Sequence, residues 1–180
     1  HFGPDGIAAL GEALKVNIRL TKLVLGGSSL GPGDVTALAE ALKVNKALTT
    51  LDVGSNNLGP GDVTALAEAL KVNEALTTLD VVGNNLTDRD IATLAQALKV
   101  NMTLTTLNVG DSNLGPGDVT ALAEALKFNK ALTTLDGGVS EATKKALNEL
   151  DHGATTLNLS ESDLGPGDLT ALAEALKVNK

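Results

Sequence analysis

The stretch at residues 48–53 reads Leu-Thr-Thr-Leu-Asp-Val, and the chain returns to this pattern throughout its length. The pattern recurs at 76–81, with Asn in place of Asp at 104–109, and in shortened form at 132–135. The starting points 20, 48, 76, 104 and 132 are 28 residues apart, and the last step, from 132 to 154, is 22. A fixed period in this range predicts a solenoid, in which each unit buries its apolar face only against its neighbours.

The first half of each unit predicts a short strand. Leu51 and Val53 fall on one side of it, while Thr50 and Asp52 face the other side, because side chains alternate along a strand.

The second half of each unit predicts a helix. Gly-Pro-Gly-Asp at 59–62 is a helix-start signal, since Pro suits the first turn and an acidic side chain offsets the free N–H groups and the helix dipole. An apolar stripe at helical spacing follows, made of Val63, Leu66, Ala67 and Leu70. Asn73 is predicted to end the helix with a left-handed backbone. Each unit is therefore strand, turn, helix and loop, so successive strands run parallel.

The spacing of these residues resembles a known family. The pattern L-x-x-L-x-L-x-x-N-x-L is met by Leu48, Leu51, Val53, Asn56 and Leu58, and it resembles a leucine-rich repeat. The 28-residue length and the Leu-Ala-Glu-Ala-Leu helix are similar to the ribonuclease-inhibitor-like subclass, as in the repeat domains of NOD-like receptors and Ran GTPase-activating proteins. The resemblance implies an α/β solenoid shaped as a curved horseshoe arc, with a parallel β-sheet on the concave face and α-helices on the convex face.

Some units depart from that pattern. Ser28, Ser112 and Ser162 stand where other units have Asn, and a hydroxyl is predicted to make fewer hydrogen bonds in this turn, with some loss of stability. The chain has no cysteine and only two aromatic residues. That composition argues against ribonuclease inhibitor itself, whose members are rich in both.

The chain is predicted to be one array. It divides into a partial repeat at 1–19, repeats at 20–47, 48–75, 76–103 and 104–131, a short repeat at 132–153 and a repeat at 154–180. Neither end carries the polar cap that a solenoid needs. The array is therefore expected to be a fragment of a longer one, with ends that can self-associate.

The short repeat predicts a local adjustment of the core. Gly137 takes an inward strand position, and Ser140 is a helix-cap candidate. Phe128 stands where other units have Val, and we predict that it fills the vacated space. A buried Phe128 would cost roughly 3–5 kcal/mol on replacement by Ala.

The repeat at 76–103 has Thr-Asp-Arg-Asp at 87–90 in place of Gly-Pro-Gly-Asp. Two interpretations stand: Thr87 and Asp90 form a capping box, or Arg89 is a contact residue for a partner.

Composition excludes several classes of function. With a net charge of −8, the chain lacks the basic patch that nucleic acid requires. No apolar run approaches the roughly 20 residues that span a membrane, and the absence of cysteine mildly favours a cytoplasmic origin. The two histidines are His1 and His152, and no nucleophile, metal or phosphate-binding motif accompanies them. An enzyme is not expected, nor is a cofactor.

The outward strand positions are the candidate binding site. They form a column of Asp52, Asp80, Asn108, Asp136 and Asn158, beside a row of threonines that includes Thr50, Thr78 and Thr106. Like charges on strands about 4.8 Å apart repel by roughly 1 kcal/mol in a water-like dielectric. A basic partner, a bound cation or simple solvation would each accommodate such a column.

We interpret the chain as a protein–protein interaction scaffold that binds an unidentified, basic protein on its concave strand face. One alternative is the regulatory or sensor repeat domain of a larger receptor or NTPase. Another is a structural array with no specific site of its own, which the near-identity of the repeats favours. A GTPase-activating role finds no supporting loop.

Overall fold

Six short parallel strands form one sheet in the order of the chain. They are β1 (Lys22–Val24), β2 (Thr50–Asp52), β3 (Thr78–Asp80), β4 (Thr106–Asn108), β5 (Thr134–Gly138) and β6 (Thr156–Leu159). The structure is a computed structural model, and it describes residues 3–112, 114, 116–138 and 156–159.

Helices alternate with the strands and pack in a second layer, each against the next. They are α1 (Gly3–Val16), α2 (Asp34–Leu42), α3 (Pro60–Val72), α4 (Asp88–Leu98) and α5 (Pro116–Leu126). The predicted α/β solenoid with parallel strands is confirmed. Among the described helices, none is long and apolar enough to cross a membrane.

The core lies between the sheet and the helices. Leu51 pairs in register with Leu79, and Leu79 with Leu107, and all three side chains are fully buried. The flanking Thr50 and Asp52 are half-buried on the opposite face, so the predicted two-sided strand is confirmed. Because each leucine packs against its copies in the adjacent repeats, the units stabilise one another.

Buried asparagines in the strand-to-helix turns bond adjacent repeats together. The side-chain amide of Asn56 donates to the carbonyls of Leu25 and Val53 at 2.8 and 3.0 Å. Oδ1 of Asn84 accepts from the backbone N–H groups of Asn56 and Leu58 at 2.9 and 3.2 Å. These bonds satisfy turn backbone groups that water cannot reach.

Ser112 makes fewer bonds at the equivalent position, as predicted. Its hydroxyl donates at 3.4 Å to the carbonyl of Gly110, and it accepts no bond from another repeat among the described residues. We expect Ser112→Asn to raise the free energy of unfolding by about 1 kcal/mol, and Asn84→Ser to lower it by about 1–3 kcal/mol. Denaturant titration followed by circular dichroism measures both. If Ser112→Asn destabilised the chain, the lack of an asparagine would not be what weakens this turn.

Asn73 ends α3 as its C-cap, as predicted, but the prediction of a left-handed backbone is wrong. Its backbone lies at φ −79° and ψ 129°, which is extended rather than left-handed. The side chain is instead buried, and its amide donates to the carbonyls of Leu42 and Asn45 in the preceding repeat at 2.6 and 3.1 Å. Its Oδ1 accepts from the backbone N–H groups of Ala75 and Leu76 at 2.9 and 2.7 Å.

This arrangement recurs once per repeat. Equivalent pairs of donations run from Asn45 to Leu14 and Asn17, from Asn101 to Leu70 and Asn73, and from Asn129 to Leu98 and Asn101. We call these residues the asparagine ladder. It joins each helix end to the one before it.

The helix starts are capped by carboxylates. Asp62 is fully buried and accepts from Gly59 N in its own turn at 3.1 Å. It also accepts from the N–H groups of Gly33 and Thr36, which begin the preceding helix, at 3.0 and 2.9 Å. One side chain therefore caps two helices.

The cap of α4 is local. Oδ2 of Asp90 accepts from Thr87 N at 2.9 Å, and Thr87 Oγ1 accepts from Asp90 N at 3.4 Å. The predicted capping box is confirmed. Arg89 is exposed, and its role as a contact residue stays a prediction.

The prediction that Phe128 fills a space in the core is wrong. Its side chain is 57% exposed, as are Val44, Val72 and Val100 at 56%, 58% and 59%. The position points outward in every described repeat, so a larger side chain there extends into solvent.

Phe128→Ala is accordingly expected to lower the free energy of unfolding by no more than about 1 kcal/mol, the contribution of an exposed cation–π contact. That contact is with Lys99, whose Nζ lies 6.0 Å from the ring centroid. The buried Leu126 provides the contrast, since Leu126→Ala should cost about 2–5 kcal/mol. Equal losses for the two variants in denaturant titrations would contradict this assignment.

Strand β5 is irregular at its end. Gly137 is buried, and the pairing with β6 shifts between Asp136 and Gly138, as in a β-bulge. The remainder of the short repeat, including Ser140 and His152, lies outside the described residues, as does the helix expected after β6.

Candidate functional site

The strand register brings the predicted polar column together. Successive pairs join Val24 to Asp52, Asp52 to Asp80, Asp80 to Asn108, Asn108 to Asp136 and Asp136 to Asn158. The strand register expected from the repeat spacing is therefore confirmed at these positions, and their role as a binding site stays a prediction. Among the described side chains, the column is half-buried, so it lies on the surface of the sheet.

The two threonines of each Thr-Thr pair differ: the second lies on the strand face, and the first bonds to the adjacent repeat. Thr50, Thr78 and Thr106 are in register on the concave strand face. The preceding threonine of each pair is structural: Thr77 Oγ1 donates to the carbonyl of Thr49 at 3.1 Å, and Thr105 Oγ1 donates to that of Thr77 at 3.0 Å. This second role accounts for the repetition of Thr-Thr and was not predicted.

Three of the column side chains are held by the backbone two residues further on. Oδ1 of Asp52 accepts from Gly54 N, and Oδ1 of Asp80 accepts from Val82 N, both at 2.9 Å. Oδ1 of Asn108 accepts from Gly110 N at 3.0 Å. Because Asp and Asn make the same turn, the backbone fixes the direction of these groups whether or not they carry charge.

Asn108 relieves part of the predicted repulsion. Its amide donates to Oδ2 of Asp80 at 3.0 Å, so a hydrogen bond replaces a contact between two carboxylates. Asp52 and Asp80 remain adjacent carboxylates. Oδ2 of Asp52 accepts no hydrogen bond from the described residues, and it is the oxygen best placed for an external donor.

Glycines border the column at the carboxyl ends of the strands, and one valine interrupts them. Gly26, Gly54 and Gly110 occupy equivalent positions, with Val82 between the last two. A Cβ on Gly54 would lie 2.8 Å from Val82 Cγ1, and one on Gly110 would lie 3.2 Å from Val82 Cγ2. Val82 thus fills the space left by both glycines and divides the strip that runs beside the column.

A polar groove of about 480 Å³ lies further along the same edge and includes Ser29, Ser55 and Asn85 among its lining residues. All three residues have positive φ, at 57°, 54° and 51°. A positive φ is uncommon for residues other than glycine, although Asn adopts it more readily than most. In the described part of the chain, no group of three or more His, Cys, Asp or Glu residues is placed to hold a metal ion.

The comparisons with known proteins agree with this architecture. The leucine-rich repeat family model matches residues 44–67, 72–95 and 100–123, which are three consecutive units of the period found in the sequence. The chain is a leucine-rich-repeat protein. Assignment to the ribonuclease-inhibitor-like subclass stays a prediction.

Two solved structures share the fold. One is titled "Leiomodin-1 Actin-Binding Site 2 (ABS2)", with 21% identity and a TM-score of 0.72 over 94% of this chain and 86% of the other. The other is the tropomodulin C-terminal domain of Caenorhabditis elegans, with 16% identity and a TM-score of 0.71 over 96% and 92%. No curated protein matches the chain at a significant level.

Proposed function

We propose that this chain is a protein-interaction repeat domain that binds a basic protein segment on its concave strand face. The observation that carries the proposal is the in-register column Asp52, Asp80, Asn108 and Asp136. The side chains of Asp52, Asp80 and Asn108 are orientated by their own backbone before any partner arrives, and preorganised groups bind without a further ordering cost.

Charge and shape favour a lysine or arginine from the partner. Oδ2 of Asp52 has no hydrogen-bond donor among the described residues, and Gly26 leaves a strip without a side chain beside it that extends as far as Gly54, where Val82 fills the space. A long cationic side chain could lie along that strip and donate to Asp52. Val82 closes the strip on one side, so it would set which register of the partner fits.

Actin is a second candidate partner. The leiomodin-1 structure is named as an actin-binding site, although the likeness is one of fold. Purified actin therefore belongs among the proteins tested. The regulatory-domain and structural-array alternatives, and a cytoplasmic location, stay open beside it.

The test compares proteins captured from a lysate of the source cells by the wild type and by Asp52→Asn/Asp80→Asn/Asp136→Asn. The fold should be preserved because Asn108 already makes the same turn. The matched control is Glu40→Gln/Glu68→Gln/Glu124→Gln, which removes three charges from the helix layer.

We expect a basic protein that is recovered about tenfold less by the column variant, that is retained by the control and that is released by moderate salt. Recovery of the partner by the column variant at the wild-type level would place the binding site elsewhere. Capture of nothing specific would favour a structural array.

A further inference from the structure

Large apolar side chains stand exposed at the ends of the helices, one per repeat. Val16 is 80% exposed, and Val44, Val72, Val100 and Phe128 are each 56–59% exposed. Each lies at or within two residues of the C-terminus of its helix, 28 residues from the next. We call these five residues the apolar row. A contiguous line of exposed apolar residues marks an interaction surface more often than scattered ones do.

The row deepens into a groove between two repeats. Val72, Val100 and Met102 line a cavity of about 360 Å³, and Met102 is 50% exposed. At the position of Met102, neighbouring repeats have Lys46, Glu74 and Lys130. Met102 thus adds a second exposed apolar side chain to the row at this groove, as Ile18 does beside Val16 in the partial repeat.

One lysine beside this groove lacks the carboxylate that the others have. Lys15, Lys43 and Lys71 pair with glutamates three residues earlier at 2.5–2.6 Å, and Lys127 pairs with Glu124 in the same way. The residue three before Lys99 is Gln96. In the described part of the chain, Lys99 forms no salt bridge, and its ammonium group lies over the Phe128 ring.

We propose that the apolar row around Val72, Val100, Met102 and Phe128 docks an acidic amphipathic segment of a protein partner. Apolar side chains of that segment would fill the groove, and one of its carboxylates would pair with Lys99. This is a second surface, on the opposite end of the helices from the carboxylate caps, and it does not depend on the concave face.

Charge argues for this occupant over two others. Four of the five lysines along the row are already paired, and the chain carries a net charge of −8. Anionic membranes are bound by clusters of about four to eight basic residues, whereas a peptide segment needs a single carboxylate opposite Lys99. A two-fold pairing of the row with itself would bring like-charged Lys99 side chains into one small interface.

The experiment selects binders to the wild-type chain from a random displayed-peptide library and measures their affinities by fluorescence polarisation. We expect peptides that combine several Leu, Ile, Met or Phe residues with Asp or Glu. Val100→Ser/Met102→Ser should weaken their binding by about tenfold or more, and Lys99→Glu by about threefold to tenfold. The triple Asp→Asn variant of the concave face should bind them like the wild type.

A charge exchange makes the test specific. Peptides in which the acidic residue is changed to lysine should lose affinity for the wild type and regain it with Lys99→Glu. Melting followed by circular dichroism confirms that the variants fold. The proposal is overturned if the selected peptides are basic, if their binding ignores both variants, if the chain dimerises through the row in sedimentation, or if the row binds phosphatidylserine vesicles instead.

Discussion

Asn73→Ala is expected to lower the free energy of unfolding by about 3–5 kcal/mol. The change removes two bonds to carbonyls of the preceding repeat and two from the N–H groups of Ala75 and Leu76. These groups are buried or partly buried, and alanine offers neither a donor nor an acceptor. The cavity left behind adds to the cost.

The measurement is denaturant unfolding followed by far-ultraviolet circular dichroism, since the chain has no Trp or Tyr to report by fluorescence. Glu74→Ala is the control, because that neighbouring side chain is exposed and should change stability by less than about 0.5 kcal/mol. A loss below about 1 kcal/mol for Asn73→Ala would show that the asparagine ladder is not a principal link between repeats.

Asp62→Ala is expected to cost about 2–4 kcal/mol, because one buried carboxylate caps two helices. The backbone N–H groups of Gly33, Thr36 and Gly59 would all lose their acceptor. The loss should destabilise both repeats, so amide hydrogen exchange should be accelerated in α2 and α3 more than in α4.

Asp90→Ala is the matched comparison for Asp62. Asp90 bonds only within its own turn among the described contacts, so its replacement should cost about 1 kcal/mol. Two results would contradict this account: equal destabilisation by the two variants, or unchanged hydrogen exchange in α2 after Asp62→Ala. Either would mean that the hydrogen bonds from Asp62 to the preceding repeat do not contribute to stability.

The repeated elements could be predicted from the sequence because repetition supplies its own alignment. The alternation of Leu51 and Val53 with Thr50 and Asp52 fixed the buried side of the strand, and a constant period placed equivalent residues in register. The capping box of Thr87 and Asp90 could be predicted because it is local, with partners three residues apart.

The errors concern contacts between repeats. Asn73 fits a helix-ending signal, but its use depends on the carbonyls of Leu42 and Asn45, about one repeat earlier in the chain. Phe128 has a larger side chain than the valines at its position, but volume alone does not show that the position points into solvent.

In the candidate site too, positions could be predicted from the sequence and side-chain contacts could not. The column was predictable from spacing, whereas the turn that orientates Asp52 and the amide of Asn108 on Asp80 required coordinates. Val82 could have been recognised in the sequence as an exception, since it stands where neighbouring repeats have Gly. Its effect became clear only when its methyl groups were placed against Gly54 and Gly110.

The most direct test of binding at the concave strand face is photo-crosslinking from two positions. A photoreactive residue is placed at Thr78, in the middle of that face, or at Ala92, on an exposed part of α4. After irradiation in lysate, we predict that the partner captured by the wild type is crosslinked from position 78 and not from position 92. A crosslink from position 92 alone, or equal yields from both, would contradict binding on the concave face.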